Sequence, residues 1–446
     1  HIVVWGKANP SRNISMSKLR VTLNSKLTVV SSRPVSSGKV HTLSALDRRM
    51  GCHTLHVIFY YKNDDNWFKS FDLDPLRESL SEVLTQYPVL TGRLVRGENG
   101  EWEVRCNDAG VRTIKATVDA TLHEWLQSAS HSEEKLLVAW DDMPEDPSTW
   151  SPFRIQINSF QEGGVAIGVS CSHMMADLTF IASFFKSWTE FHRHFPITHP
   201  PLIAPLSTRG HALSSSSSST KTTSATNFAT ATFKFSSSTI KQCLSKVRDS
   251  CPNATPFDFL AALFWTRIAS VRPPKTQDQT HSLCICSDFR SLLKPPLPIG
   301  YLGNALNFST LSQKVKDVEL GVIVRAVHWQ MEKLSEEEIG ASNEGKRVYG
   351  SELTCVCMEQ LMEEEDQESL LYGAGFVNNE KPVHVSCRVG NVESEGLIMV
   401  MPSAEGGVSR SVTVMLAEEE VAELKKDEAI MELEAVMVLA GCGMDD

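Results

Sequence analysis

The sequence predicts an α/β protein of two domains, each a sheet flanked by helices, and three observations lead there. At 446 residues the chain is long for one core and fits two of ordinary size. Short runs with period-two alternation recur between longer runs of helical spacing on both sides of the midpoint. Between them lies a segment containing six consecutive serines, 214–219, followed by Thr-Lys-Thr-Thr-Ser-Ala-Thr. Such a stretch has almost no apolar surface with which to offset its ordering entropy. It reads as an exposed crossover linker over 207–227, dividing the chain into domains at 16–206 and 228–446. A glycosylated stalk of the same composition would need secretion, for which there is no signal.

The first half opens on an edge strand at 28–30 and a turn into the first core element at 43–47. His53 to Tyr61 has the β-branched and aromatic content of a strand; His53 and His56 fall on opposite faces of it and form no metal pair. Residues 71–87 carry Leu76, Leu80, Val83 and Leu84 at helical spacing, and Pro88 stops the helix. A hairpin follows at 91–104 around Asn99-Gly100, a pair suited to positive backbone angles. Next come a short helix at 121–128, a strand from Phe153, and a second hairpin across Gly163-Gly164 that places the next strand centrally. Beyond the linker, Ala231 to Phe235 is a strand and 240–247 a helix. Thr255-Pro256-Phe257-Asp258 is a helix start, with Thr255 as N-cap and Pro256 in the first turn. A buried strand at 283–286 leads to Asp288 and Arg290, residues 318–334 are helical, and strands are expected at 383–386, 396–401 and 412–415. A polar helix at 417–426 has acids first and lysines last, as the helix dipole prefers. The runs 336–346 and 363–366 read as solvated loops.

Composition narrows the function. The net charge of −11 argues against a nucleic-acid partner, which needs a basic surface, yet leaves room for a ligand that needs only a few local cations. No run of eighteen apolar residues is present, so no membrane span is expected. The N-terminus has too short an apolar stretch for a secretory signal and does not begin with Met; Met16 is the expected natural start. The eleven cysteines lack zinc spacing. Cys284/Cys286 and Cys355/Cys357 are C-x-C pairs at strand period, each with both thiols on one side, and free buried thiols in a cytosolic protein are expected.

One stretch joins strand chemistry to titratable groups. Val165, Ile167 and Val169 alternate as a strand, Leu178, Ile181, Phe185 and Trp188 recur as a helix, and His173 and Asp177 stand at the junction. Histidine takes and returns a proton near neutrality, and aspartate fixes a tautomer or closes a salt bridge. Alone, H-x3-D is more often a core histidine with an N-cap aspartate than a catalytic pair. Further along stand Ser287-Asp288-Phe289-Arg290, then Gly300-Tyr301-Leu302-Gly303-Asn304 after Pro298, and Lys381-Pro382-Val383.

Together and in this order, these features resemble the plant BAHD acyltransferases, from about Val21 to roughly the last twenty residues. The resemblance implies the two-domain chloramphenicol acetyltransferase-like fold, a mixed sheet in each domain, with an active-site channel between them and His173 midway along it. It implies an acyl-CoA co-substrate, no bound cofactor or metal, a small-molecule alcohol or amine acceptor, and a monomer. His173 takes the catalytic base role. Asp177 becomes structural support, paired with Arg290 across the two halves, and Thr354 is the candidate oxyanion donor. The family's D-F-G-W-G is here Gly375-Phe376-Val377-Asn378-Asn379, with only the phenylalanine kept. That departure suggests a divergent branch and keeps two alternatives open. One is a non-catalytic accessory of fatty-acid elongation, similar to the eceriferum-type proteins of wax formation; the other is a repurposed fold in which His173 drives another proton transfer.

Overall fold

The computed structural model describes residues 19–36, 38–69, 75–204, 227–334, 339, 348–362 and 369–441. The expected linker at 207–227 therefore lies almost wholly outside the described residues, as do the acidic run 363–366 and nearly all of 336–346. Among the described residues two large sheets carry the fold. In spatial order the first is formed by Val21–Val29, Val111–Thr121, Phe153–Gln161, Val165–Ser172, Thr54–Tyr61 and His384–Gly390. Val111–Thr121 runs parallel to Phe153–Gln161 and the other pairs are antiparallel, so this sheet is mixed, and the strand that delivers His173 is central.

The second sheet orders Leu306–Gln313, His281–Asp288, Thr354–Cys357, Leu397–Pro402, Arg410–Ala417, Phe228–Phe235 and Val436–Val438. Its middle strands are parallel and its flanks antiparallel. Strand alternation gives this sheet two buried faces. Leu283, Ile285, Cys355, Ile398 and Val400 pack on the helices Ser237–Lys246, Pro256–Val271 and Leu320–Glu332. Cys284, Cys286, Val356, Met399 and Met401 instead join one apolar cluster with Leu55, Phe59, Ile167 and Phe185 of the first half. The boundary between the halves is thus as apolar as a core. Each C-x-C pair keeps both sulfurs on one face, and every described cysteine but Cys52 is buried.

One strand departs from a division of the chain at a single linker. His384–Gly390 belongs to the second half of the sequence yet pairs with Thr54–Tyr61 in the first sheet, His384 opposite Tyr60 and Gly390 opposite Thr54. The reason lies in the strand it covers: all eight residues of Thr54–Tyr61 are buried, and a buried edge with unpaired amides is costly. Val385, Cys387 and Val389 complete the apolar face of the sheet.

Local signals set the helix starts. Thr255 Oγ1 accepts from Asp258 N at 3.2 Å and the Asp258 carboxylate accepts from Thr255 N at 2.8 Å, a reciprocal cap with Pro256 in the first turn. Asp177 caps the helix Leu178–His192 through Phe180 N at 3.0 Å. That helix is buried along nearly its whole length, with Phe185 stacked on Phe59 at 3.7 Å between centroids.

The degenerate segment 375–379 keeps the residue that anchors it. Phe376 is buried and meets Trp188 at 5.0 Å, Trp67 at 5.3 Å and Phe185 at 5.7 Å. Tyr61 also donates to the Ala374 carbonyl at 2.5 Å. The segment is pinned to the first domain by an aromatic cluster that none of the lost residues is needed to form. Replacing Phe376 by Ala should lower stability by about 3–5 kcal/mol, read as a lower urea midpoint at unchanged slope; a shift under about 1 kcal/mol would show that the anchor lies elsewhere.

Candidate active site

His173 follows the last residue of Val165–Ser172, in the turn before the helix Leu178–His192. Its backbone is held from both sides: its N–H donates to the His53 carbonyl at 3.1 Å, and its carbonyl accepts from Asn304 Nδ2 at 2.8 Å. Asn304 is itself fixed by Asp47, whose Oδ1 accepts from Asn304 N at 2.8 Å and Nδ2 at 2.9 Å. Burial pushes the Asp47 carboxyl up, against the pull of Asn304 and Ser44. The glycines of the 300–304 turn have steric work to do. A Cβ on Gly300 would stand 2.1 Å from the Pro200 carbonyl, and Gly303 holds φ +137.

The ring of His173 is oriented by one acceptor and one donor. Nδ1 lies 3.0 Å from the Ala176 carbonyl and Nε2 lies 2.9 Å from the Tyr349 hydroxyl. A carbonyl can only accept, so Nδ1 carries the proton and the lone pair sits on Nε2. Burial lowers the pKa to about 4, with the nearby His53 adding to the shift and Asp177 opposing it. The imidazole is therefore neutral and basic at Nε2 at physiological pH.

Asp177 faces away from the ring. Its oxygens accept from Arg290 Nη1 at 2.7 Å and Nη2 at 3.0 Å, from Phe180 N and from Ala305 N. The pair is buried, with side-chain exposures of 3% and 0%. Arg290 also reaches Asp288 and donates to the Tyr301 carbonyl at 3.1 Å. Burial works against the guanidinium, but Asp177 and Asp288 more than offset it and hold its pKa above the ordinary value.

The structure thus brings together His173, Asp177 and Arg290. Thr354 stands apart from them. Its hydroxyl donates to the Glu352 carbonyl at 2.9 Å and accepts from Gly350 N at 3.2 Å, bracing the turn that carries Tyr349. Sequence reasoning missed Tyr349, which offers no periodic or motif signal, and it missed the clamp of Asp47 and Asn304. That clamp had a trace in Ser44-x-x-Asp47, a capping box, and in the glycine turn. At His173 the expected channel is filled, since the ring is 0% exposed and Tyr349 2%. Among the described residues no cluster of His, Cys, Asp or Glu has the makings of a metal site, and no helix is long and apolar enough to cross a membrane.

The sequence profile of the Transferase family matches residues 19–431. The chain belongs to the BAHD acyltransferases. Within this family it is 25% identical to a hydroxycinnamoyltransferase of Narcissus pseudonarcissus, over 83% of the chain and 90% of the relative. It is 27% identical to Protein ECERIFERUM 26 of Arabidopsis thaliana, over 89% and 93%. Vinorine synthase has a similar structure, with a TM-score of 0.71 at 22% identity over 93% of this chain and 98% of that one. F. sporotrichioides TRI101, complexed with coenzyme A and T-2, aligns with a TM-score of 0.63 at 15% identity over 90% and 100%. These likenesses establish the two-domain chloramphenicol acetyltransferase-like fold, and membership makes the chain an acyltransferase by class.

Two outcomes test this geometry. Arg290→Met should destabilise the protein by about 3–5 kcal/mol, because Asp177 is left buried beside its main-chain donors without its counter-charge; an unchanged melting temperature would contradict the pairing. The second concerns acid. His53 and His173 have folded pKa values of about 4, both lowered first by burial, against an ordinary 6.5. The unfolded chain then binds more protons between pH 6.5 and 4, so stability is full above pH 6.5 and falls as pH drops towards 4, by on the order of 3 kcal/mol for each group. Thermal melts at constant ionic strength from pH 7.5 to 4.5 check the slope; a flat profile would mean that neither ring resists protonation in the fold more than in the unfolded chain.

Proposed function

We propose that the protein transfers an acyl group from a coenzyme A thioester to the hydroxyl or amine of a small specialised metabolite, with His173 as general base and no covalent acyl-enzyme. The observation that carries this reading is the tautomer of His173: Nδ1–H anchored on the Ala176 carbonyl, and an Nε2 lone pair already meeting a hydroxyl at 2.9 Å. In the reaction the acceptor's oxygen or nitrogen takes that place and gives its proton to Nε2 as it attacks the thioester carbon. The tetrahedral intermediate then collapses, the C–S bond breaks, and the imidazolium returns the proton to the departing sulfur. Metal and resident cofactor have no part in this scheme.

Asp177 and Arg290 act by position. They join the turn of His173 to the second domain and leave the proton chemistry to the imidazole. Coenzyme A as donor is supported by the TRI101 neighbour, which is complexed with it, and acyl transfer by the hydroxycinnamoyltransferase relative. Thr354 enters this reading as a brace of the site's loop, and the oxyanion donor is left unassigned. A cytosolic location fits the buried thiols, and a monomer is the state the family resemblance implies.

A second reading, an accessory protein of fatty-acyl elongation without transferase turnover, is favoured by the complete burial of His173 and by the ECERIFERUM 26 relative. Free-thiol release separates the two. The protein and His173→Ala, incubated with a panel of acyl-CoAs and pooled alcohols and amines, should differ by on the order of a hundredfold or more in acceptor-dependent release. Silence of the folded wild-type protein across the panel would favour the accessory role.

A further inference from the structure

The position in front of His173 Nε2 is taken by the protein itself. A base must lie within roughly 2.6–3.2 Å of the proton it removes, and the Tyr349 hydroxyl stands at 2.9 Å. The ring above that hydroxyl is packed edge-on against His53 at 5.0 Å and Phe308 at 5.2 Å, and lies at 30° to the His173 ring. With Tyr349 2% and His173 0% exposed, neither an acceptor nor water reaches Nε2 while this ring is in place.

The backbone beneath Tyr349 is fixed, which assigns the movable part to the side chain. Its carbonyl accepts from Glu393 N at 3.0 Å, and the Gly350 carbonyl accepts from Glu395 N at 3.0 Å. Gly350 adopts φ +83, and a Cβ there would stand 2.4 Å from the Glu393 carbonyl oxygen, so the turn tolerates only glycine. Thr354 Oγ1 holds the Gly350 amide. By contrast, among the described residues the phenol has one strong polar bond, the one to His173, and one weak polar neighbour, Cys286 Sγ at 4.0 Å. An incoming alcohol or amine replaces that bond like for like, whereas an apolar molecule does not.

We propose that Tyr349 is a built-in occupant of the acceptor position: its side chain closes His173 until an acceptor displaces it, and so both selects acceptors and keeps water from the thioester. This rests on the reading of His173 as the base. Without the ring, water takes the acceptor's place. Its oxygen bonds to the acyl carbon, its proton passes to Nε2 and then to the sulfur, the C–S bond breaks, and a carboxylic acid and free coenzyme A result.

Three variants and two readouts test it. Tyr349→Ala, with Tyr349→Leu as the opening variant that keeps more of the packing, removes the phenol. Tyr349→Phe keeps the ring but cuts its bond to His173. The first readout, independent of turnover, is the rate at which diethyl pyrocarbonate modifies His173, followed by peptide mass mapping. Loss of the ring and its bond should raise it roughly tenfold. The second is acyl-CoA hydrolysis without acceptor, with acetyl-CoA and an aromatic acyl-CoA as probes. It should rise on the order of tenfold in the opening variants and vanish when His173→Ala is added. In Tyr349→Phe the acceptor KM should fall with kcat held, as expected for a lost competitor.

Unchanged modification of His173 in both folded opening variants would overturn the proposal. So would loss of kcat in Tyr349→Phe, which would instead make the phenol a proton relay. Faster modification with no hydrolysis or transfer in any variant would uphold the plug and sink the catalytic reading beneath it.

Discussion

The structure turns on a buried ion pair. Asp177 comes from the first half of the chain and Arg290 from the second, and their two hydrogen bonds at 2.7 and 3.0 Å join the halves within four residues of His173. A buried pair of this kind contributes modestly to stability over an apolar substitute, but it penalises every arrangement in which either partner is left alone. Its value is in registry. The apolar surface between the halves is nondirectional and would tolerate sliding; a forked guanidinium on a carboxylate would not. Asn304 adds a second fastening by reaching both Asp47 and the carbonyl of His173 itself.

This arrangement explains how a histidine can be both deeply buried and chemically ready. Burial alone would make the imidazole an inert core residue. What distinguishes His173 is that both its backbone groups and its Nδ1–H are committed to fixed acceptors and donors, which leaves the Nε2 lone pair as its single variable contact. The carboxylate four residues on caps the following helix and faces Arg290. The geometry thus separates two tasks that the H-x3-D spacing places side by side, proton transfer and structural closure.

Much of this was legible beforehand. The strand-to-helix junction at His173, the cap at Thr255, the two hairpins and the partnership of Asp177 with Arg290 all rest on local rules or on motifs with fixed order. Other parts escaped for physical reasons. Val111–Thr121 alternates through Ile114, Ala116, Val118 and Ala120, but two of those are alanines, whose small side chains give a weak apolar period. Leu306–Gln313 is polar on its exposed face and half-buried at an edge. The placement of His384–Gly390 beside Thr54 is a pairing across more than three hundred residues, which no local pattern encodes. Tyr349 lies in an irregular turn, where position depends on Gly350 and on amides from residues 393 and 395, so the residue nearest the base was the least visible in the sequence.

The strand His384–Gly390 has a consequence for how such a protein is made. Once residue 172 has been synthesised, five of the six strands of the first sheet are complete, and the H-x3-D turn follows at once. The edge at Thr54–Tyr61 stays open until residue 390 has been synthesised. For that interval a strand that is wholly buried in the finished fold has an unpaired edge, a template that invites pairing with a neighbouring chain. The same order of events means that gene fusions exchanging the halves at the serine-rich segment transplant one strand of the recipient's first sheet along with the second domain.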